Sequence, residues 1–467
     1  MLNTESINQT VLGKIVAEKL RWIEQRKQQQ PLAGFVDALQ PSDRSFYSAL
    51  TQPQSVFILE CKKASPSKGL IREDFDPAAI ATIYNRYAAA ISVLTDEAFF
   101  QGNFEFLPKV RAQVSVPVLC KDFVVDAYQI YLARHYQADA ILLMLSVLTD
   151  SAYLALAEVA NSLNMGILTE VSNEEELQRA IRLNAKVVGI NNRNLRDLSI
   201  DLQRTKDLAP AIPDDRIIIC ESGIYTHAQV KDLSHYAHGF LVGSSLMSQE
   251  NIDLACRKLI LGENKVCGLT TPEDAKAVHA AGAVYGGLIF VGKSPRYIDI
   301  PQAEQVMAAA PLRYVGVFQN AKIETVALTV SKLGLAAVQL HGEEGADYIA
   351  TLRATLPASC QIWKAIAIAD TLPQAQLEAL TPLVDRVVLD TKQGSQSGGT
   401  GVSFDWSLLS SVKKENVLLA GGISPANAQQ ASQVGCLGLD LNSGVETSPG
   451  HKSAEKIAQA FKALRSY

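Results

Sequence analysis

Short, dense runs of Val, Ile and Leu recur along this chain at intervals of roughly 20–35 residues, with amphipathic stretches of helical periodicity between them. In the first half the runs are "VFILEC" from 56, "AISVLT" from 90, "VPVLCKDF" from 116, "ADAILLMLS" from 138, "MGILTEV" from 165, "VVGINN" from 187, "RIIICES" from 216 and "GFLVGSS" from 239. The second half repeats the pattern: "NKVCGL" from 264, "YGGLIF" from 285, "RYVGVF" from 313, "AAVQLHG" from 336, "QIWKAIAI" from 361, "RVVLD" from 386, "NVLLAGG" from 416 and "CLGLDLN" from 436. Runs this apolar predict parallel strands buried on both faces. A further stretch before the first run, "TVLGKIVAEKLRWIEQRKQQQ", predicts an amphipathic helix packed on the first set of strands.

Eight β-then-α units, repeated twice, predict an α/β protein of two tandem (β/α)8 (TIM) barrels, the first with an N-terminal helical extension. A doubly wound open sheet is the structural rival, but it usually carries fewer strands and gives no reason for the same count twice. The 467 residues exceed what one core of roughly 250–300 residues accommodates, which also favours two domains. The predicted boundary gives domains 1–258 and 259–467, joined near "CRKLILGENK" without a Pro/Gly-rich linker.

Several predicted strands end in charge. Glu60 and Lys62 close the first, Lys121 the third, Glu170 the fifth, Asn191 and Arg193 the sixth, and Glu221 the seventh. For any one of these the plain alternative is a solvated loop charge. Barrel active sites, however, lie at the carboxyl ends of the strands, and a constellation spread over five strands predicts one convergent mouth. Small residues after strands seven and eight of each half ("ESGI", "GSS"; "LLAGGIS", "LNSGVE") predict a phosphate-binding loop in both barrels. Lys62, Lys121 and Arg193 imply a second anionic group in the first site. In the second half, Cys267 and Asp390 end strands one and six as a candidate base and acid, and Arg296 is suited to a planar carboxylate.

Composition narrows the class without choosing the reaction. Apolar residues make up 48% and charged residues 19%, an ordinary globular balance, and a net charge of −5 disfavours nucleic acid as a partner. The longest apolar run, "AILLMLSVL", is about half a membrane span, so no membrane partner is expected. Seven cysteines without pairing spacings suit a reducing, cytoplasmic setting, and no spacing suggests a metal.

With these motifs in place the chain resembles a known pair of enzymes. Residues 1 to about 258 resemble indole-3-glycerol-phosphate synthase through "ECKKASPSKG", "LCKDF", "LTEVSN", "GINNRNL", "ESGI" and "GSSLM". Residues from about 260 resemble phosphoribosylanthranilate isomerase through "KVCGLTTPEDA", "GKSPRY", "VQLHG", "SGGTG", "FDW", "LLAGGI" and "SGVE". The resemblance implies the fused bifunctional form found in bacterial tryptophan biosynthesis, a monomer acting on phosphorylated anthranilate substrates without a cofactor.

It also implies roles. Asp390 would protonate the ribose ring oxygen, and Cys267 would take the C2′ proton as a thiol more acidic than a free cysteine. Arg296 would hold the anthranilate carboxylate, with His341 at the same mouth. Lys121 would protonate the ketone during ring closure, Lys62 would bind the carboxylate until CO2 leaves, and Glu170 would assist dehydration. Glu60 and Asn191 would orient or share protons, and Ser65 and Glu221 join the substrate-binding set. Arg193, Ser222, Gly223, Gly243 and Ser244 would line the first phosphate site; Gly421, Gly422, Asn442 and Ser443 would line the second. Two positions depart from the pattern: Cys61, where an aliphatic residue is expected, and Ser453, where the isomerase pattern often has an acid. Other fused phosphosugar barrels, or a catalytically silent metabolite-binding protein, are the competing readings, and the latter should have lost at least one of Lys121, Glu170, Cys267 or Asp390.

Overall fold

The apolar runs become strands, each with a hydrogen-bonded neighbour on both sides. The computed structural model describes Leu2 and residues 10–393, 396–397 and 403–467, so Gly398 to Gly401 of the "SGGTG" motif lie outside the described residues. The chain divides into two compact units, Met1–Cys256 and Arg257–Tyr467, and the division falls inside helix Ile252–Leu261.

In the first unit the barrel strands are β1 (Val56–Cys61), β2 (Ala90–Leu94), β3 (Val118–Lys121), β4 (Ala140–Met144), β5 (Gly166–Val171), β6 (Val187–Asn191), β7 (Ile217–Glu221) and β8 (Gly239–Val242). All pairs are parallel, and β8 closes onto β1. Register carries the polar residues to one rim: Glu60 lies beside Ser92, Lys121 beside Leu94, Glu170 beside Met144 and Gly189, and Asn191 beside Glu221.

The second unit repeats the design with β9 (Lys265–Val266), β10 (Tyr285–Ile289), β11 (Arg313–Phe318), β12 (Ala337–Leu340), β13 (Gln361–Ile368), β14 (Arg386–Gln393), β15 (Val417–Leu419) and β16 (Gly438–Leu441). Here the ring closes through β13 with β14 and β9 with β16. Strand β9 is short, yet the Cys267 N–H still donates to the Leu441 carbonyl at 2.8 Å, so Cys267 keeps its place in the ring. Among the described residues no helix is long and apolar enough to cross a membrane.

The N-terminal stretch forms helix α1 (Val11–Gln29), capped by the Thr10 hydroxyl accepting from the Gly13 N–H. Its buried stripe is Leu12, Ile15, Val16, Lys19 and Ile23, the spacing of one helical face. A lysine in that stripe must find counter-charges. Lys19 Nζ lies 2.7 Å from Asp96 and 2.8 Å from Asp122, in the segments that follow β2 and β3, with its side chain 3% exposed. Trp22, one turn on, stacks on Phe104. Apolar contact and a buried ion triad together fasten α1 to the rim where the charged residues gather.

Removing Lys19 would leave two buried carboxylates without their cation, a loss of about 3–5 kcal/mol for such groups. Lys19→Met is therefore expected to lower the urea midpoint of the first unit, whereas an exposed change such as Lys14→Met should leave it where it is.

Candidate active sites

In the first barrel a cavity at the carboxyl ends of the strands is lined by Glu60, Lys62, Ser65, Lys121, Glu170, Asn191, Arg193, Ser222 and Ser244. Nine of the candidate residues thus meet at one mouth, although they span most of the unit's sequence. Glu221 stands behind the wall rather than in it: 1% exposed, it accepts from Lys121 Nζ at 3.2 Å. Lys121 lies equally far from Glu60, which also takes Lys62 at 2.8 Å. Glu170 Oε1 accepts from Asn191 at 3.1 Å. The Arg193 guanidinium donates to the Leu198 carbonyl, tying its own loop across the rim.

Gly223 and Gly243 act by making room. Gly243 backs onto Glu60, whose Oε1 stands 2.6 Å from where a Cβ would be. Ser222 and Gly223 take left-handed φ values of 67° and 83°, which turn the loop after β7.

Charge and burial split the carboxylates. Burial by itself would raise Glu60, but the Lys121 and Lys62 ammonium groups beside it override that and draw it down to about 2. Burial and the neighbouring Glu221 push Glu170 up to about 8, with Lys121 and the Asn191 hydrogen bond opposing. Burial disfavours charge on Lys121 too, yet Glu60, Glu221 and Glu170 outweigh it and hold the ammonium more firmly than usual. The mouth therefore contains a fixed carboxylate, a proton-bearing carboxyl and a proton-bearing amine, which is an acid–base set produced by environment.

Sequence patterning located α1 but not its part in this site. Val11, Leu12 and Ile15 form cavity wall together with Leu94, Phe100, Phe123 and Leu198. Their helical spacing announced a buried face, and only the tertiary structure aims it at the cavity.

In the second barrel Cys267, Arg296, His341, Asp390, Gly421, Gly422, Asn442 and Ser443 all line one cavity. Asp390 Oδ2 lies 3.8 Å from His341 Nε2. Burial raises the Asp390 carboxyl; His341 opposes and Asp440 adds to the rise, so the group holds its proton more firmly than an ordinary carboxyl. The thiol departs from expectation. Cys267 packs against Ile289 and Val317, and burial raises it above an ordinary cysteine despite Lys265 and Lys452, with Asp440 reinforcing the rise. A low-acidity thiol is what an apolar wall produces; the expected acidic one would need the cations to outweigh that wall.

Arg296 forms both halves of a bidentate pair with Glu446, at 2.9 and 2.8 Å. Glu446 also takes Lys452 at 2.7 Å, and Lys452 donates to Asn442 Oδ1 at 2.9 Å. Glu446 ends the "SGVE" motif, but its pairing with Arg296 and the part of Lys452 could not be read there, because both residues lie in a hairpin after the last strand that only folding returns to the mouth. Ser453 caps helix Ala454–Ala463, its hydroxyl accepting from the Lys456 N–H, and Cys61 is buried.

Comparison with known proteins places both halves. The family model of indole-3-glycerol phosphate synthase matches residues 12–259, and that of N-(5′-phosphoribosyl)anthranilate (PRA) isomerase matches residues 264–463. A tryptophan biosynthesis protein TrpCF of Vibrio cholerae is 63% identical over 98% of this chain and 96% of its own length. The protein of the same name from Salmonella typhi is 58% identical over 98% of this chain and 100% of its own. A solved phosphoribosyl anthranilate isomerase from Thermotoga maritima is 30% identical, covering 44% of this chain and 100% of its own, with a TM-score of 0.39.

A methyl group at Gly189 would collide with Glu221 Oε1. Gly189→Ala should therefore displace the carboxylate that steadies Lys121 and slow the first unit's reaction about 10- to 100-fold. The second unit's reaction, assayed in the same preparation, should keep its rate.

Proposed function

The chain belongs to the fused indole-3-glycerol-phosphate synthase and phosphoribosylanthranilate isomerase family of tryptophan biosynthesis, and from that premise we propose how its own residues divide the work. The C-terminal half isomerises N-(5′-phosphoribosyl)anthranilate to 1-(2-carboxyphenylamino)-1-deoxyribulose 5-phosphate. The N-terminal half closes that product's ring with loss of CO2 and water, giving indole-3-glycerol phosphate. The domain limits we assign are 1–258 and 259–467.

In the isomerase, Asp390 gives its proton to the ribose ring oxygen as the C1′–O bond breaks, and the anilino nitrogen supplies the electron pair that forms the iminium. Cys267, as thiolate, then takes the C2′ proton; the released pair forms the C1′=C2′ bond and neutralises the iminium, and the resulting enol tautomerises to the ketone. His341 steadies Asp390. Arg296, aligned by Glu446, receives the anthranilate carboxylate, and Gly421, Gly422, Asn442 and Ser443 receive the phosphate.

In the synthase, the aromatic carbon bearing the carboxylate attacks the C2′ carbonyl while Lys121 delivers a proton to its oxygen. Lys62 pairs with the carboxylate until the C–C bond breaks, CO2 leaves and the electron pair restores aromaticity. Glu170 then protonates the new hydroxyl, which departs as water while the C1′ proton passes to the amine that Lys121 has become. Glu60 stays ionised beside Lys121 and Lys62, while Asn191 holds Glu170 in position. Val11, Leu12, Ile15 and Phe123 face the aromatic ring, with Ser65 beside them. Arg193, Ser222 and Ser244 bind the phosphate, and Gly223 and Gly243 shape that loop. We further assign the enzyme to the cytoplasm as a monomer, a setting that suits its seven cysteines without pairing spacings.

The observation that carries this reading is Lys121 held 3.2 Å from both Glu60 and Glu221 at the mouth it shares with Glu170. Positioned proton transfer contributes about 10²–10⁴-fold per group. Lys121→Ala should lose synthase turnover on that scale and keep isomerase activity, and Cys267→Ala the reverse. Loss of both activities in a folded single variant would sink the two-site assignment.

The pH dependence of the synthase has a definite sign. Glu170 carries its proton up to about 8, and Glu221 shares the titration. Because the protonated form is the donor, kcat/KM should fall as pH rises through about 8. Glu170→Gln should show a low rate without that limb.

A further inference from the structure

Beneath Cys267 lies a charged group that none of the roles above uses. Lys265 is fully buried, two residues before the thiol on β9, and it stays behind the cavity wall rather than lining it. Its ammonium is clamped, with Nζ 2.6 Å from Asp440 Oδ2 and 2.8 Å from Gln339 Oε1. Residues two apart on a strand share a face, so Lys265 and Cys267 both point into the barrel. They converge above Gly287: a Cβ there would stand 2.6 Å from Cys267 Sγ and 2.9 Å from Lys265 Cε. A buried lysine costs stability unless counter-charge and hydrogen bonds offset it, as Asp440 and Gln339 do here, and one fixed beneath a sulfur in a low-dielectric interior acts on that sulfur strongly.

We propose that Lys265, held by Asp440 and Gln339, is the positioning residue of the isomerase: the fixed cation against which the Cys267 thiolate forms. This rests on the reading of Cys267 as the base. Lys265 touches no substrate; it acts through the sulfur, and Asp440 sets how much of its charge the sulfur feels. The other charged or titratable groups around the thiol are Lys452, the Arg296–Glu446 pair, and Asp390 with His341 across the cavity. Lys452 and Arg296 share Glu446, whereas Lys265, paired with Asp440, is the cation two residues before the thiol and beside it above Gly287.

The two partners of the clamp should move the thiol in opposite directions, which a packing defect would not do. In the intact chain, the rate of Cys267 alkylation by iodoacetamide, followed by peptide mass spectrometry from pH 6.5 to 10.5, reads the thiolate without substrate. Lys265→Met should move the alkylation midpoint up by at least about one pH unit, and Asp440→Asn should move it down. In step with this, Lys265→Met should lower isomerase kcat/KM at pH 7.5 at least about tenfold, mostly through kcat, with synthase turnover unchanged. Should Lys265→Met fail to fold around the orphaned carboxylate, the double variant Lys265→Met/Asp440→Asn removes both charges together, and its midpoint should still lie above that of the parent. An unmoved midpoint in folded Lys265→Met, shifts of the same sign in both single variants, or a double variant at or below the parent overturns the proposal. Full isomerase activity in Cys267→Ala would instead overturn the base assignment, and the alkylation series would still report whether Lys265 governs the sulfur.

Discussion

Parallel pairing around a closed ring is the constraint on which both sites depend. Once every strand runs the same way and the last binds the first, all eight carboxyl ends must share one rim. Residues as far apart as Glu60 and Glu221 then flank one ammonium without any loop having to carry them there. The same closure removes the sheet edges and surrounds the strand ends with low-dielectric interior. A charge on that rim therefore feels its neighbours more strongly than it would in water.

That setting explains why the two mouths are built alike despite different chemistry. Near each, a lysine from a barrel strand is gripped by carboxylates far from it in sequence: Lys121 by Glu60 and Glu221, Lys265 by Asp440. The grip keeps the cation charged where burial would otherwise strip its proton. It also sorts the remaining acids. Glu60, between two lysines, is held ionised, whereas Glu170, facing another carboxylate, keeps its proton. Identical side chains thus acquire opposite duties from position.

The strands were legible because burial on both faces leaves an unbroken apolar run, which periodicity detects directly. Candidate residues such as Lys121, Glu170 and Asp390 were legible because a charge ending such a run is out of place there. The first strand of the second half was less complete than "NKVCGL" suggested: regular pairing covers Lys265–Val266 and then gives way near Gly268, where φ is +74°. Glu221 stood in the right place with the wrong neighbour, facing Lys121 instead of open cavity. The expected acidity of Cys267 rested on nearby positive potential, which Lys265 and Lys452 do supply; the Ile289 and Val317 wall that works against them comes from strands remote in sequence.

The sequence by itself determined two eight-stranded barrels, an added amphipathic helix, and the strand ends at which chemistry gathers, since each is written in local order of apolar and polar residues. The tertiary structure alone decided that α1 walls the synthase cavity, that Glu446 takes up Arg296, and that Lys265 lies beneath the thiol. Those facts depend on which atoms from remote segments share a small volume. Neither the spacing of residues along a strand nor their type encodes the field at that point, because burial and charge there are sums over neighbours that only the closed ring brings together.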